Sequence, residues 1–480
     1  MNLLSRKLLL IALIGFTLLV VSCNDDDTPE VTPLGVAFET TAIGIEDGAS
    51  SVTVNVTFSQ MTTVSNQITI MLDEDGVTYG SDYNTDPAAV NGVLSIEVPV
   101  GSEGFSFTVN RIGDAIDEGN NVKFTLDSVV GEETSQISGN TEITVSFSAV
   151  ASGGSSLIAE IGGPTQPNQV FVDLSLNNQT TAERTSWDFG FYNGSEDKVI
   201  VNYATYGMAY ELEKTDINAV TAEDTVGLSA TVGIGRPGAH VYIDNPDGDL
   251  DKLAIADISD NDDDNKVYII NSGAGPGNGD VDPGSVDVGS TPLGWKKVRI
   301  LKRNGDYLIQ YADISATSFE EATITRTANQ SFNYFSLSSG NTVTVQPGAA
   351  KWDLEFTVSS NIINFGAGDG AYGFSDFVRT NRLGGTKVAV VTLERDDDGN
   401  ILSGQTGYDD FTAADLANVQ FSDAANTIGS GWRSVFSRTA HNYRYYIIED
   451  SEGNQYKLQF LGLLNEQGER GNSSFKYELL

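Results

Sequence analysis

From Val36 to Phe147 apolar and polar residues alternate with a period of two. The runs are Val52-Thr-Val-Asn-Val-Thr-Phe58, Gln67-Ile-Thr-Ile-Met71, Val93-Leu-Ser-Ile-Glu-Val98, Phe105-Ser-Phe-Thr-Val109, Val122-Lys-Phe-Thr-Leu126 and Ile143-Thr-Val-Ser-Phe147. Each places β-branched or aromatic side chains on one face, which predicts a half-buried strand. Turn signals separate them at short intervals, the pattern of an all-β sandwich. No stretch of 36–148 carries a helical period. Ser152-Gly-Gly-Ser-Ser156 then reads as a flexible linker.

Beyond the linker the pattern repeats. Val170-Phe-Val-Asp-Leu174 leads to Ser186-Trp-Asp-Phe-Gly-Phe191, and Phe332-Asn-Tyr-Phe-Ser-Leu337 leads to Lys351-Trp-Asp-Leu-Glu-Phe356. Late in each copy a Gly-Trp pair (294–295 and 431–432) precedes two alternating runs joined by a turn, Asn304-Gly305 in one and Glu452-Gly453 in the other. Asn-Gly between alternating runs is a strong hairpin signal. Four features in one order predict two all-β copies. Helix is scarce; one short turn is expected over Thr412–Val419, capped by Thr412.

The first residues break the pattern. Arg6 and Lys7 precede an unbroken apolar run, Leu8–Val21, and then Ser22-Cys23. A positive start, an apolar core and a small residue before the cut read as a secretory signal, too short for a good membrane span. A Cys there resembles a bacterial lipobox, with Cys23 carrying the lipid. Asn24-Asp-Asp-Asp27 resembles the surface-export signal of Bacteroidetes lipoproteins. The expected location is the outer membrane, held by the lipid alone and facing the exterior.

Composition narrows the chemistry. The chain has 480 residues with 66 acidic and 27 basic side chains, a formal charge of -39, two His and one Cys. There is no basic footprint for nucleic acid. Two His and one Cys cannot build a multi-His zinc centre, and one Cys cannot form a disulfide within the chain. Asp244, Asp247, Asp249 and Asp251, and then Asp260-Asn-Asp-Asp-Asp264, lack the EF-hand arrangement and read as solvated acidic loops. Gly273-Ala-Gly-Pro-Gly-Asn-Gly279 lacks the P-loop Lys-Ser/Thr and reads as a long exposed loop. A Ser-His-Asp site would have to use His240 or His441, and His240 has no nucleophile elbow beside it. The 66 acids supply many chance carboxylate pairs with none ranked above another, so a hydrolase using acids alone is the weaker alternative and no enzyme is expected.

Two family resemblances follow from these residues. Ile45-Glu-Asp-Gly48, Tyr79-Gly-Ser-Asp-Tyr83, Val98-Pro-Val-Gly101 and Gly113–Leu126 resemble a Calx-beta domain over about 36–148. That resemblance implies a β-sandwich and calcium held by carboxylates, at Glu46, Asp75, Asp82, Asp114, Asp117 and Glu118. Lys351–Phe356 with Trp352 and Asp353, then Arg379-Thr380-Asn381 before Gly384-Gly385, then Tyr445–Ile448, Tyr456–Phe460 and Phe475-Lys-Tyr477, resemble the HmuY family of haem-binding bacterial lipoproteins. The first copy lacks the Arg-Thr-Asn element, although Asn202-Tyr203 stands near its place.

This second resemblance implies haem capture at the surface and delivery to an outer-membrane receptor. The family's ligands fall in 382–444, which holds His441 and no Met. Met208 and His240 are the candidates in the first copy. The expected organisation is a signal peptide (1–22), a tether (23–34), a sandwich (35–149), a linker (150–164) and two HmuY-like domains (165–329 and 330–480). The alternative function is an adhesin or assembly protein that recognises glycan or protein without haem.

Overall fold

The structure is a computed structural model, and it describes residues 33–45, 49–112, 116, 120–131, 135–147 and 153–480. The signal, Cys23, Asn24–Asp27, Glu46, Asp114, Asp117 and Glu118 lie outside the described residues. Strands hold 44% of residues and helix 7%, so the chain is all-β. Among the described residues no helix is long and apolar enough to cross a membrane.

The first part is a sandwich of two five-stranded sheets. Every run predicted from alternation is a strand. In Ser51–Phe58, Val54 and Val56 are buried while Thr53, Asn55 and Thr57 face solvent. Phe107 and Phe124 meet across the core with ring centroids 5.0 Å apart. Of the proposed calcium ligands that are described, Asp75 ends the strand Asn66–Asp75, and Asp82 accepts the Thr78 N–H at 2.8 Å within its own turn. Among the described residues no group of three or more His, Cys, Asp or Glu is placed to hold a metal.

Two sequence expectations need correction. The linker is in part a strand: Gly154–Ile158 pairs antiparallel with Ser474–Leu479. Its small residues suit an outer strand, and Ser155 and Leu157 alternate into the core. The glycine-rich stretch is not a wholly exposed loop. Ser272 and Gly275 are buried, and Ala274–Gly275 pairs with Thr291–Pro292. A Cβ at Gly273 would lie 1.8 Å from the Thr205 carbonyl oxygen, so only glycine allows that approach.

The remaining chain is built by reciprocal exchange between the two copies. The opening strand of the first copy, Asn168–Asp173, pairs with Leu354–Asn364 of the second. The opening strand of the second, Phe332–Ser336, pairs with Phe189–Tyr192 of the first. Each Trp-Asp pair therefore meets the other copy's opening strand. Asp353 Oδ2 accepts the Leu174 N–H at 2.9 Å, and Asp188 Oδ2 accepts the Leu337 N–H at 2.7 Å. Trp352 packs edge-on against Phe171, as Trp187 packs against Tyr334. The copy boundary is a boundary in sequence; in space both copies share sheets.

Arg184 pins the first copy's loops. It is fully buried, and its guanidinium donates to the carbonyls of Gln166 (2.8 Å), Ala204 (2.7 Å), Ala274 (3.2 Å) and Val288. Burial without an acidic partner pushes it down to about 10. Arg184→Met keeps the apolar stem and strands four carbonyls. It is expected to cost at least ~3 kcal/mol in urea unfolding, since each unpaired buried group costs about 1–3 kcal/mol.

Candidate binding cleft at the seam of the two copies

The Asn of the Arg-Thr-Asn element is a scaffold. Asn381 Nδ2 donates to the carbonyls of Trp352 (2.7 Å) and Ala349 (2.8 Å), and its Oδ1 accepts the Gly384 N–H at 2.9 Å. Its own N–H donates to the Asp353 carbonyl. Asn202 makes the same set: Nδ2 to Trp187 O (2.6 Å) and Arg184 O (2.8 Å), Oδ1 from Ala204 N–H (2.8 Å), and N–H to Asp188 O. The first copy thus keeps the Asn and has Ile200-Val201 where the second has Arg379-Thr380.

Asp353 is buried and accepts a second bond, from Thr386 Oγ1 at 3.1 Å. Burial, and next the nearby Asp173 carboxylate, push its carboxyl up to about 7.

Between the copies lies a cleft with a cavity volume of ≈ 70 Å³. The second copy contributes Phe332, Trp352, Glu355, Arg379 and Thr380, and the first contributes Ile200, Tyr203 and Asp244. Glu355 is fully buried on the strand Leu354–Asn364. It accepts from Gln169 Nε2 at 2.5 Å and Tyr203 OH at 2.8 Å, and Arg379 Nε stands 3.7 Å away. The Arg379 guanidinium lies 4.0 Å over the Tyr203 ring. Asp244 accepts the N–H groups of Val201 (2.8 Å) and Ala254 (2.9 Å), and burial pushes it up to about 6.

Two buried groups beside this cleft have no hydrogen-bond partner among the described residues: the Trp352 indole Nε1 and the Thr380 hydroxyl. The two-fold mate of Trp352 is satisfied, because Trp187 Nε1 donates to Gln169 Oε1 at 2.7 Å. In the register that matches Phe171 with Tyr334 and Leu174 with Leu337, the position of Gln169 is held by Phe332, which has no acceptor. One apolar replacement leaves the second indole N–H open.

Met208 and His240 stand on neighbouring elements of the first copy, the strand Met208–Glu211 and the short 3₁₀ turn Ala239–Tyr242, and His441 stands in the second copy. Met208 is fully buried in an apolar core with Ile217, Val220 and Val267. His240 Nδ1 is 2.9 Å from the Asp369 carbonyl oxygen. The His441 ring packs on Tyr443 with centroids 4.8 Å apart, and burial, then Arg444, hold its imidazole below the usual range. A roomier groove of ≈ 620 Å³ lies between the strand Lys387–Thr392 and the short 3₁₀ helix Ala413–Asn418, which confirms the predicted turn. Its lining holds no His or Met. Its one tyrosine, Tyr445, donates to the Thr406 carbonyl and is pushed up to about 12 by burial, so it stays protonated. Haem iron takes one or two axial donors of His, Met, Cys or Tyr type. The residues around this groove do not fit that need, and neither its lining nor that of the seam cleft holds Met208, His240 or His441.

The acidic loops are held by lysine and backbone. Lys252 bridges Asp247 (3.1 Å) and Asp249 (2.9 Å), and Lys198 meets Asp251 (3.0 Å) and Asp257 (2.8 Å).

The chain matches the HmuY family (HmuY protein) over residues 165–320 and 328–477. It belongs to the HmuY family, as two tandem copies. None of the curated proteins matches it. Among solved structures, the apo-form Calx CBD1 domain is 14% identical, with a TM-score of 0.21 over 24% of this chain and 98% of that one. CBD12 from CALX1.2 is 10% identical, with 0.20 over 31% and 75%. The Salmonella enterica SafA pilin in complex with the SafB chaperone is 11% identical, with 0.18 over 35% and 90%.

Sequence reasoning named Trp352, Asp353, Arg379, Thr380 and Asn381 and passed over Glu355, Tyr203 and Gln169. It read Asp244 as part of a solvated loop, whereas the structure turns it inward to line the cleft and accept two backbone N–H groups. The signal for Glu355 was present: a carboxylate inside the apolar strand Leu354-Glu-Phe356. Asp353 gives a pH test. Its folded value lies above that of an unfolded Asp, so its protonated form stabilises the fold. That stability is full below about 4 and is lost as pH rises through about 7. Asp353→Asn is expected to make the fall in Tm between pH 5 and 8 shallower than in the parent protein.

Proposed function

We propose that the protein is a surface-anchored, non-enzymatic binding protein that captures a small ligand in the seam cleft and passes it to an outer-membrane receptor. The observation that carries this reading is the pair of buried, unpartnered groups, Trp352 Nε1 and Thr380 Oγ1, beside one cleft. Buried polar groups are nearly always satisfied, and a pocket with a few such groups is the default binding site. The cleft's acids are engaged: Glu355 by Gln169 and Tyr203, Asp244 by two backbone N–H groups. That supports binding rather than acid–base chemistry. The lipobox-like Cys23 and the acidic run after it support a lipid anchor at the exterior.

Haem is the second reading, favoured by family membership. The cleft volume corresponds to a handful of waters at ~10–15 Å³ each, far short of a porphyrin. His441, neutral and half-buried, is the one His or Met in the stretch where the resemblance places the family's ligands.

Two measurements separate the readings. Thermal unfolding in the presence of haemin, sugars, amino acids and simple carboxylates is expected to show a rise in Tm with at least one compound. Thr380→Val should abolish that rise, because ligand bound only to the folded state raises stability. The same rise in the variant, or no rise at all, overturns the cleft as the capture site. In a haemin titration the haem reading requires a saturable Soret shift that His441→Ala loses, and its absence removes haem.

A further inference from the structure

We propose that the seam cleft is a saccharide subsite, taking the terminal ring of a neutral sugar. This rests on the reading of the cleft as the capture site and names its ligand class. Three features lead to it.

The first is charge balance. Two arginines line the cleft, Arg379 and Arg382, and two carboxylates face them, Glu355 and Asp244. Arg382 is further engaged by Asp423 at 3.5 Å. An anion would find no surplus positive charge, in a chain of formal charge -39 that repels anions at long range. A cation would find both carboxylates already taken.

The second is the mixture of hydrogen-bonding roles. Trp352 Nε1 only donates, while Thr380 Oγ1 both donates and accepts. The Gln346 amide, also on the cleft, offers both roles. A sugar hydroxyl donates and accepts at one oxygen, so a ring edge with adjacent hydroxyls satisfies such a set. A ligand with acceptors alone leaves the acceptor side unmet. Trp352 is 6% exposed and Thr380 2%, so the unmet bonds lie where each costs most.

The third is the apolar wall. Ile200, Leu250, Leu253, Phe332 and Leu383 complete the lining. A pyranose carries C–H groups on the faces of its ring and hydroxyls around its edge, and the cleft has both kinds of wall. A volume of ≈ 70 Å³ admits part of one ring, which makes it a site for a chain end. The symmetry supports selection of this face. The mate of Thr380 is Val201 and the mate of Phe332 is Gln169, so the first copy closes its own indole.

The test follows the Trp352 indole N–H in the ¹H–¹⁵N spectrum of the protein. The four tryptophan signals are assigned by single Trp→Phe substitutions. The probes are galactose, mannose and N-acetylglucosamine, with acetate, glucuronate and haemin in separate titrations. A saturable shift of the Trp352 signal with at least one neutral sugar is expected. Thr380→Val should weaken it tenfold or more, and Trp295→Phe, at a residue outside the cleft lining, should leave it within twofold. Val stands at the mate of position 380, so the variant is expected to fold, and its Tm checks this. If acetate or glucuronate moves the Trp352 signal and no neutral sugar does, the cleft binds carboxylates and the saccharide class falls. If haemin alone moves it, the saccharide class falls in favour of haem. If a sugar binds without moving the signal, its site lies elsewhere and the proposal falls. If no probe moves it, the capture-site reading falls as well.

Discussion

The architecture depends on a bond each copy cannot make for itself. An aspartate that follows a tryptophan accepts the N–H at the end of an opening strand, and that strand belongs to the other copy. Asp353 is buried and Asp188 half-buried, and desolvation pushes both carboxyls above their ordinary range. A buried carboxylate without its donors is expensive, so exchange places each copy's need on its neighbour. The mixed aromatic core follows directly: Phe171, Trp187, Tyr334 and Trp352 come from both copies and pack as one cluster.

The cleft is a consequence of imperfect symmetry. On one side of the seam a glutamine closes the indole and bridges to Glu355, which also holds Tyr203 and Arg379. On the other side a phenylalanine stands at that register and cannot accept a bond. Duplicated units often start alike, and a duplicated site needs only one such substitution to separate a structural half from an open one. The buried charges at the seam stay paired, which keeps the cost of burial tolerable while the cleft remains polar.

The acidic excess has a similar local logic. Lys198, Lys252 and Lys302 each gather two aspartates, and Arg303 holds Asp262. At exposed positions such pairs contribute little stability. Those of Lys252 and Lys198 order the turn 247–251, which adjoins the cleft lining, and the remaining negative charge favours solubility.

Strand positions, the paired Trp-Asp motifs, the Asn304-Gly305 hairpin and the family were legible in the sequence, because alternation and turn chemistry are local and a repeat is visible as order. Val54 and Val56 face inward for the reason their pattern states. The partner of each opening strand was not legible. The same alternation suits pairing within a copy or between copies, and only the closed set of long-range bonds distinguishes them. Gly154–Ile158 shows the same limit: its composition says linker, and an available strand edge at Ser474–Leu479 makes it a strand. Trp352 and Thr380 could be named as motif residues. Whether their polar atoms are satisfied depends on what tertiary packing sets beside them, and there the structure alone decided that the Trp187 indole is paired and the Trp352 indole is buried without a partner among the described residues.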